Sequence, residues 1–116
     1  MELIFMLVLE EKYVLHIPSY KYVDGQLKSI VSEKCINNLI TELNNNAYHS
    51  FYKTNVKGYY KKRCFDEILI TIFAPKENLH KKPSTIFIEW FREHNHILKQ
   101  ESMAYEYNNS LHIITL

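Results

Sequence analysis

Glycine stands at only two positions in this 116-residue chain, Gly25 and Gly58. A phosphate-cradling loop, a dinucleotide-binding fingerprint or a Gly-x-Ser-x-Gly elbow needs glycines close together, so that backbone N–H groups approach a ligand or the chain turns sharply. None can be built here. With only 3 prolines as well, long linkers and disorder are excluded. The length suits one domain, residues 1–116, with a single core.

Hydrophobic spacing sets the expected elements. Leu3–Leu9 (LIFMLVL) is a continuous apolar run, the pattern of a strand covered on both faces, and Tyr13–Ile17 would pair with it in a hairpin. Asp24-Gly25 breaks the chain, and Asp24 or Ser29 can cap a helix whose apolar residues are Cys35, Ile36, Leu39, Ile40 and Leu43. Asn44-Asn45-Asn46 would close that helix, because asparagine tolerates the left-handed conformation. Phe51–Arg63 reads as one or two strands bent at Gly58, and Glu67–Ala74 as a second buried strand. A second helix opens at Pro83 and runs to about Gln100, with Phe87, Phe91, His94 and Leu98 on one face beside Trp90. Met103–Tyr107 and Leu111–Leu116 flank Asn108-Asn109-Ser110 as a closing hairpin. The order ββαβ(β)αββ predicts an α+β fold: a mainly antiparallel sheet with two amphipathic helices packed on it. Trp90, Phe87, Phe91, Leu39, Ile40, Ile70 and Leu7 form the expected core.

Chemistry leaves little local trace. Helical zinc ligands favour i, i+4 spacing, which His94 and His96 lack; Glu93 and His96 share a face but read as solvated partners, so no metal is expected. His94 reads as a hydrogen-bonded histidine at the core margin. Asp66 and Glu67 are neighbours on a strand and point to opposite faces, so they form no dyad. Cys35 lies on the apolar stripe of its helix as a small core residue, and with only Cys64 besides, no disulfide framework is expected. No cofactor is expected either, and the apolar opening is too short to span a bilayer, which takes about 20 residues. Without the basic n-region of a secretory signal, the chain reads as cytoplasmic.

One charge shift stands out. The formal net charge is +1, yet residues 53–63 hold Lys53, Lys57, Lys61, Lys62 and Arg63 with no acid, interleaved with Tyr59 and Tyr60. Such a segment suits an acidic protein partner, and equally the phosphates and bases of a single-stranded nucleic acid. A solvated strand guarded by lysines shows the same pattern. The near-neutral balance favours the protein partner over nucleic acid. The expectation is therefore a small non-catalytic binding protein of the inhibitor, immunity or antitoxin type. The alternative is a nucleic-acid binder or an RNA- or DNA-acting toxin or nuclease using the same residues. Richness in Ile, Asn, Lys and Tyr is what an AT-rich bacterial or phage genome encodes. The uncharged run Leu111–Leu116 adds an expected homodimer through the C-terminal strand.

Overall fold

A computed structural model describes residues 6–29, 33–77 and 80–116, the side chains of Tyr22, Leu27 and Tyr60 excepted. The α+β expectation holds. A five-stranded sheet has the order β4-β5-β1-β6-β7, where β1 is Glu11–Pro18, β4 Phe51–Tyr60, β5 Arg63–Ala74, β6 Ser102–Tyr107 and β7 Ser110–Thr115. Every pairing in it is antiparallel. A separate hairpin joins β2 (Tyr20–Val23) to β3 (Gln26–Ser29). The helices are α1 (Glu33–Asn45) and α2 (Pro83–Leu98).

Both helices pack on the same side of the sheet. Alternation along β1 sends Tyr13, Leu15 and Ile17 to that side, where they meet Ile70 and Ile72 of β5, Leu39 and Leu43 of α1, and Phe87, Trp90 and Phe91 of α2. The helical stripes fall as their spacing predicts: Cys35, Ile36, Leu39 and Leu43 are buried on α1, and Phe87, Trp90, Phe91, His94 and Leu98 on α2. The Trp90 indole donates to the Cys35 carbonyl at 2.7 Å and ties the helices together. His94 sits at the core margin as expected: its Nδ1 donates to the Trp90 carbonyl at 2.9 Å, and its Nε2 lies 3.1 Å from the Asn38 amide nitrogen. Burial pushes the Cys35 thiol up.

Several expectations are corrected. Leu3–Phe5 lie outside the described residues, and Met6–Leu9 form no strand. The hairpin with Tyr13–Ile17 does not form, because β5 and β6 occupy both edges of β1. Leu7, expected in the core, is 82% exposed. Asp24-Gly25 is not merely a breaker: with φ of 54° and 76° it is the turn of the β2–β3 hairpin. Ser29 belongs to β3, and Ile30–Ser32, where α1 was expected to begin, lie outside the described residues. Past the end of α1 the left-handed residue is Ala47 (φ 64°), not an asparagine; the Tyr48 amide reaches back to the Leu43 carbonyl at 2.9 Å. Gly58 makes no bend and lies inside the single strand β4.

Candidate active site

The face of the sheet turned away from the helices carries the outward residues of all five strands. One row runs Tyr52, Thr71, Val14, Glu106, Leu111; the next runs Thr54, Leu69, His16, Ala104, Ile113. An uncovered antiparallel face is ordinarily polar. This one is largely apolar around a charged centre. His16 Nε2 lies 2.6 Å from Glu106 Oε2, and His16 Nδ1 lies 3.5 Å from Glu67 Oε2. The side chains of His16, Glu67 and Glu106 are 26%, 31% and 41% exposed, half-shielded yet open to a ligand. Three different strands supply them, with His16 on the central strand and each carboxylate on one flanking neighbour.

Gly58 makes room beside this cluster. A Cβ there would stand 2.8 Å from the Glu67 carboxylate carbon, closer than side chains tolerate. Next to it, Asp66 points to the other face, as expected for adjacent strand residues. There it receives a hydrogen bond from the Tyr20 hydroxyl at 3.2 Å and pairs with Lys57. The Lys57 hydrogen bond holds the Asp66 carboxyl below the ordinary carboxylate range, and Asp66 in turn raises Lys57.

The basic residues singled out in the sequence are strung along the β4–β5 hairpin, away from the helix-side cavity described below. Lys53 is exposed on β4, and Lys57 is engaged by Asp66. Tyr59 is 79% exposed, its phenol raised by a hydrogen bond with the Cys64 thiol. Lys61 and Lys62 are the turn itself, with φ of 48° and 63°, and Arg63 begins β5. Tyr60 pairs with Arg63 in the ladder.

A cavity of about 310 Å³ opens on the helix side, where the ends of β1, β5 and β6 meet the start of α2. Tyr13, Tyr48, Tyr107 and His112 line it with Lys76, Lys82 and a single carboxylate, Glu11. Its charge balance suits an anion. Among the described residues, no group of three or more His, Cys, Asp or Glu side chains is placed to hold a metal ion, and no helix is long and apolar enough to cross a membrane.

Two solved structures share this fold. One is a phage SAM lyase in its apo state, at TM-score 0.64 and 18% identity, covering 99% of this chain and 97% of that one. The other is a phage SAM lyase in complex with S-methyl-5'-thioadenosine, at TM-score 0.61 and 15% identity, covering 91% and 89%. No protein-family model and no curated protein matches the sequence. At such identities the likeness is one of fold. It nonetheless corrects the expectation of a non-catalytic inhibitor, immunity or antitoxin-type protein, because both of these structures, alike over about nine-tenths of the chain or more, are of an enzyme, one with a small molecule bound. The physical reason for the miss is distance along the chain. His16 and Glu106 are 90 positions apart and meet only once β1 has paired with β6.

Proposed function

We propose that this chain is a lyase that cleaves S-adenosylmethionine to S-methyl-5'-thioadenosine, at the open-face cluster of His16, Glu67 and Glu106. The observation that carries this reading is a carboxylate pair around one histidine, half-shielded on the uncovered face of a fold shared with a phage SAM lyase.

The chemistry matches the residues. S-methyl-5'-thioadenosine retains the adenosine, the sulfur and its methyl group, so the bond that breaks joins the sulfonium sulfur to Cγ of the methionine chain. The electron pair passes to sulfur, which becomes a neutral thioether. Positive charge moves towards Cγ as the bond lengthens, and fixed carboxylates beside Cγ stabilise it there more than in the ground state. A lyase consumes no water. The four-carbon fragment completes its valence by losing a Cβ proton or by closing its own carboxylate onto Cγ. For the first route, His16 with Glu106 supplies an acceptor for the proton; for the second, it holds the fragment's ammonium group. Tyr52 and Phe73, with ring centroids 6.4 Å apart on the same face, offer an aromatic surface for adenine. Tyr52 lies two strands from His16, and Phe73 one strand away but four residues further along β5, so each backbone position is roughly 12–14 Å from that of His16 at ordinary strand spacing and rise. The helix-side cavity, with Lys76 and Lys82 against one carboxylate, has the wrong sign for a sulfonium.

The test is to incubate the purified chain with S-adenosylmethionine and quantify S-methyl-5'-thioadenosine by liquid chromatography and mass spectrometry. Proton NMR then identifies the amino-acid fragment, because the eliminated and ring-closed products are isomers. Glu67→Gln and Glu106→Gln should each lower turnover by about 100-fold or more, the range for losing one electrostatic partner of a transition state. Lys82→Ala should leave it unchanged. A wild-type chain that leaves the substrate intact defeats the reading.

A further inference from the structure

The helix-side cavity takes no part in the chemistry of the open face. Its volume of about 310 Å³ falls within the range of small-molecule sites, about 300–1,000 Å³. Tyr13, Tyr105 and Tyr107 line it from the side of the sheet that carries the helices, and His112, opposite Tyr105 in the ladder, joins them. His16 and Glu106 alternate with these residues on β1 and β6 and so point the other way. The cavity and the His16 cluster therefore lie on opposite faces.

Part of its lining is flat and neutral. His112 stacks on Tyr105 with ring centroids 4.9 Å apart and planes within 10°, and Tyr13 lies against Tyr107 at 4.8 Å. The buried phenols are already anchored: Tyr13 donates to Glu11 Oε2 at 3.1 Å, and Tyr48 to the Lys81 carbonyl at 2.7 Å. Burial and then the Glu11 hydrogen bond hold the Tyr13 phenol well above its ordinary range, and Glu11 likewise raises Tyr107, so both rings stay uncharged. The rest is cationic. Lys76 and Lys82 are exposed and, among the described residues, neither is held in an ion pair, whereas Lys81 is taken by Glu89 at 2.8 Å. α2 starts at the same spot, and Lys82 gives its first turn no side-chain cap, which adds to the pull on an anion.

We propose that this cavity is a second ligand site, for a nucleoside monophosphate, with the base on the Tyr105–His112 stack and the phosphate at Lys76 and Lys82. Rings and cations side by side select a ligand that carries a planar ring and an anion together. Glu11 offsets one of the two lysines, and its bond from Tyr13 turns it into part of the wall. A phosphate monoester, close to doubly charged at neutral pH, engages both lysines, where an aromatic carboxylate brings a single charge. The inference does not rest on the lyase reading, since none of the lining residues belongs to the His16 cluster.

Calorimetric titration of the full chain compares adenosine monophosphate with adenosine, inorganic phosphate and phenylacetate. The nucleotide should bind about 10-fold or more tightly than each of the other three, because only it uses both parts of the lining. Lys82→Glu should weaken the nucleotide by about 10-fold or more, and His112→Ala by about 10-fold while leaving the response to inorganic phosphate as it was. Both positions are exposed, so the variants should fold. Amide NMR locates the ligand without any variant: signals of Lys76, Ser84 and His112 should shift on adding the nucleotide, and those of His16 and Glu67 should stay. No binding, shifts confined to the His16 cluster, an affinity indifferent to both variants, or any of the three simpler probes binding as tightly as the nucleotide overturns the proposal.

Discussion

The two faces of the sheet are built from alternate residues of the same strands and differ in burial and charge. Facing the helices, Leu15, Ile17, Ile70 and Ile72 are fully buried, so that side has no room for a ligand among them. One residue along, Val14 and Thr71 are also buried, at 5% and 4%, yet they sit beside His16, Glu67 and Glu106 and beside Tyr52, which is 51% exposed. Period-two alternation thus separates the packed residues from the candidate site within single strands. Stability and turnover should therefore respond to different substitutions, and the contrast can be broken by experiment.

The largest effect belongs to the covered face. Phe91→Ala should cost roughly 3–5 kcal/mol, the transfer of a buried aromatic plus the cavity it leaves. Glu106→Gln on the open face should change stability by less than about 1 kcal/mol, because the side chain is 41% exposed. Chemical denaturation of both variants measures the difference. Equal losses would mean that the open face is part of the core.

Next in size is a purely local test of the site. Gly58→Ala places a methyl group where the Glu67 carboxylate now lies, and a glutamate can swing away cheaply. Stability should hold or rise by about 0.5–1 kcal/mol, since glycine weakens a strand interior. Turnover should fall by up to about 100-fold, the cost of displacing a positioned group by an ångström. An active Gly58→Ala enzyme would remove Glu67 from the mechanism.

Legibility in the sequence follows the same division. The covered face was readable because α1, α2 and β5 each carry their own period: Phe87, Phe91, His94 and Leu98 mark a helix face without knowledge of any partner. The open face was not. His16, Glu67 and Glu106 stand on three different strands, and only the order β5-β1-β6 makes them neighbours. A weak signal existed: each is an outward residue on a strand whose buried inward residues, Leu15, Ile17, Ile70, Ile72 and Met103, are apolar, so the strands mark which side faces away from the core. The separation of Asp66 from Glu67 was read correctly, but pairing across strands needs register. Leu3–Leu9 misled for the converse reason. A continuous apolar run specifies burial, not where, and Met6–Val8 find none within the chain.

A smaller effect contrasts two hairpins. Asp24-Gly25 and Lys61-Lys62 both place two consecutive residues at positive φ, 54° and 76° in one turn and 48° and 63° in the other. Asp-Gly is favoured there, whereas lysine pays a steric penalty of about 1 kcal/mol. Lys62→Gly should therefore stabilise the chain by up to about that amount, visible as a rise in the denaturation midpoint. Gly25→Lys should destabilise the other hairpin: space around its Cβ is open, so the effect isolates backbone strain.

The smallest effect lies just across the strand from Glu67. Asp66 is held below the ordinary carboxylate range first by its hydrogen bond from Lys57 and then by that lysine's charge, with a further bond from Tyr20. A carboxyl depressed on folding contributes stability that is present above the unfolded value and is lost as pH falls through the folded one. The pair is solvent-exposed, so that contribution is small and screened by salt. The titration itself is the better readout. Carbon-detected NMR should find Asp66 ionising at lower pH than an unpaired aspartate, and Lys57→Ala should move it upwards. Because Asp66 faces away from His16, the same substitution should leave turnover and its pH profile unchanged. A shifted profile in Lys57→Ala would mean that the two faces communicate through β5, and that the division between packing and chemistry is less complete than the alternation implies.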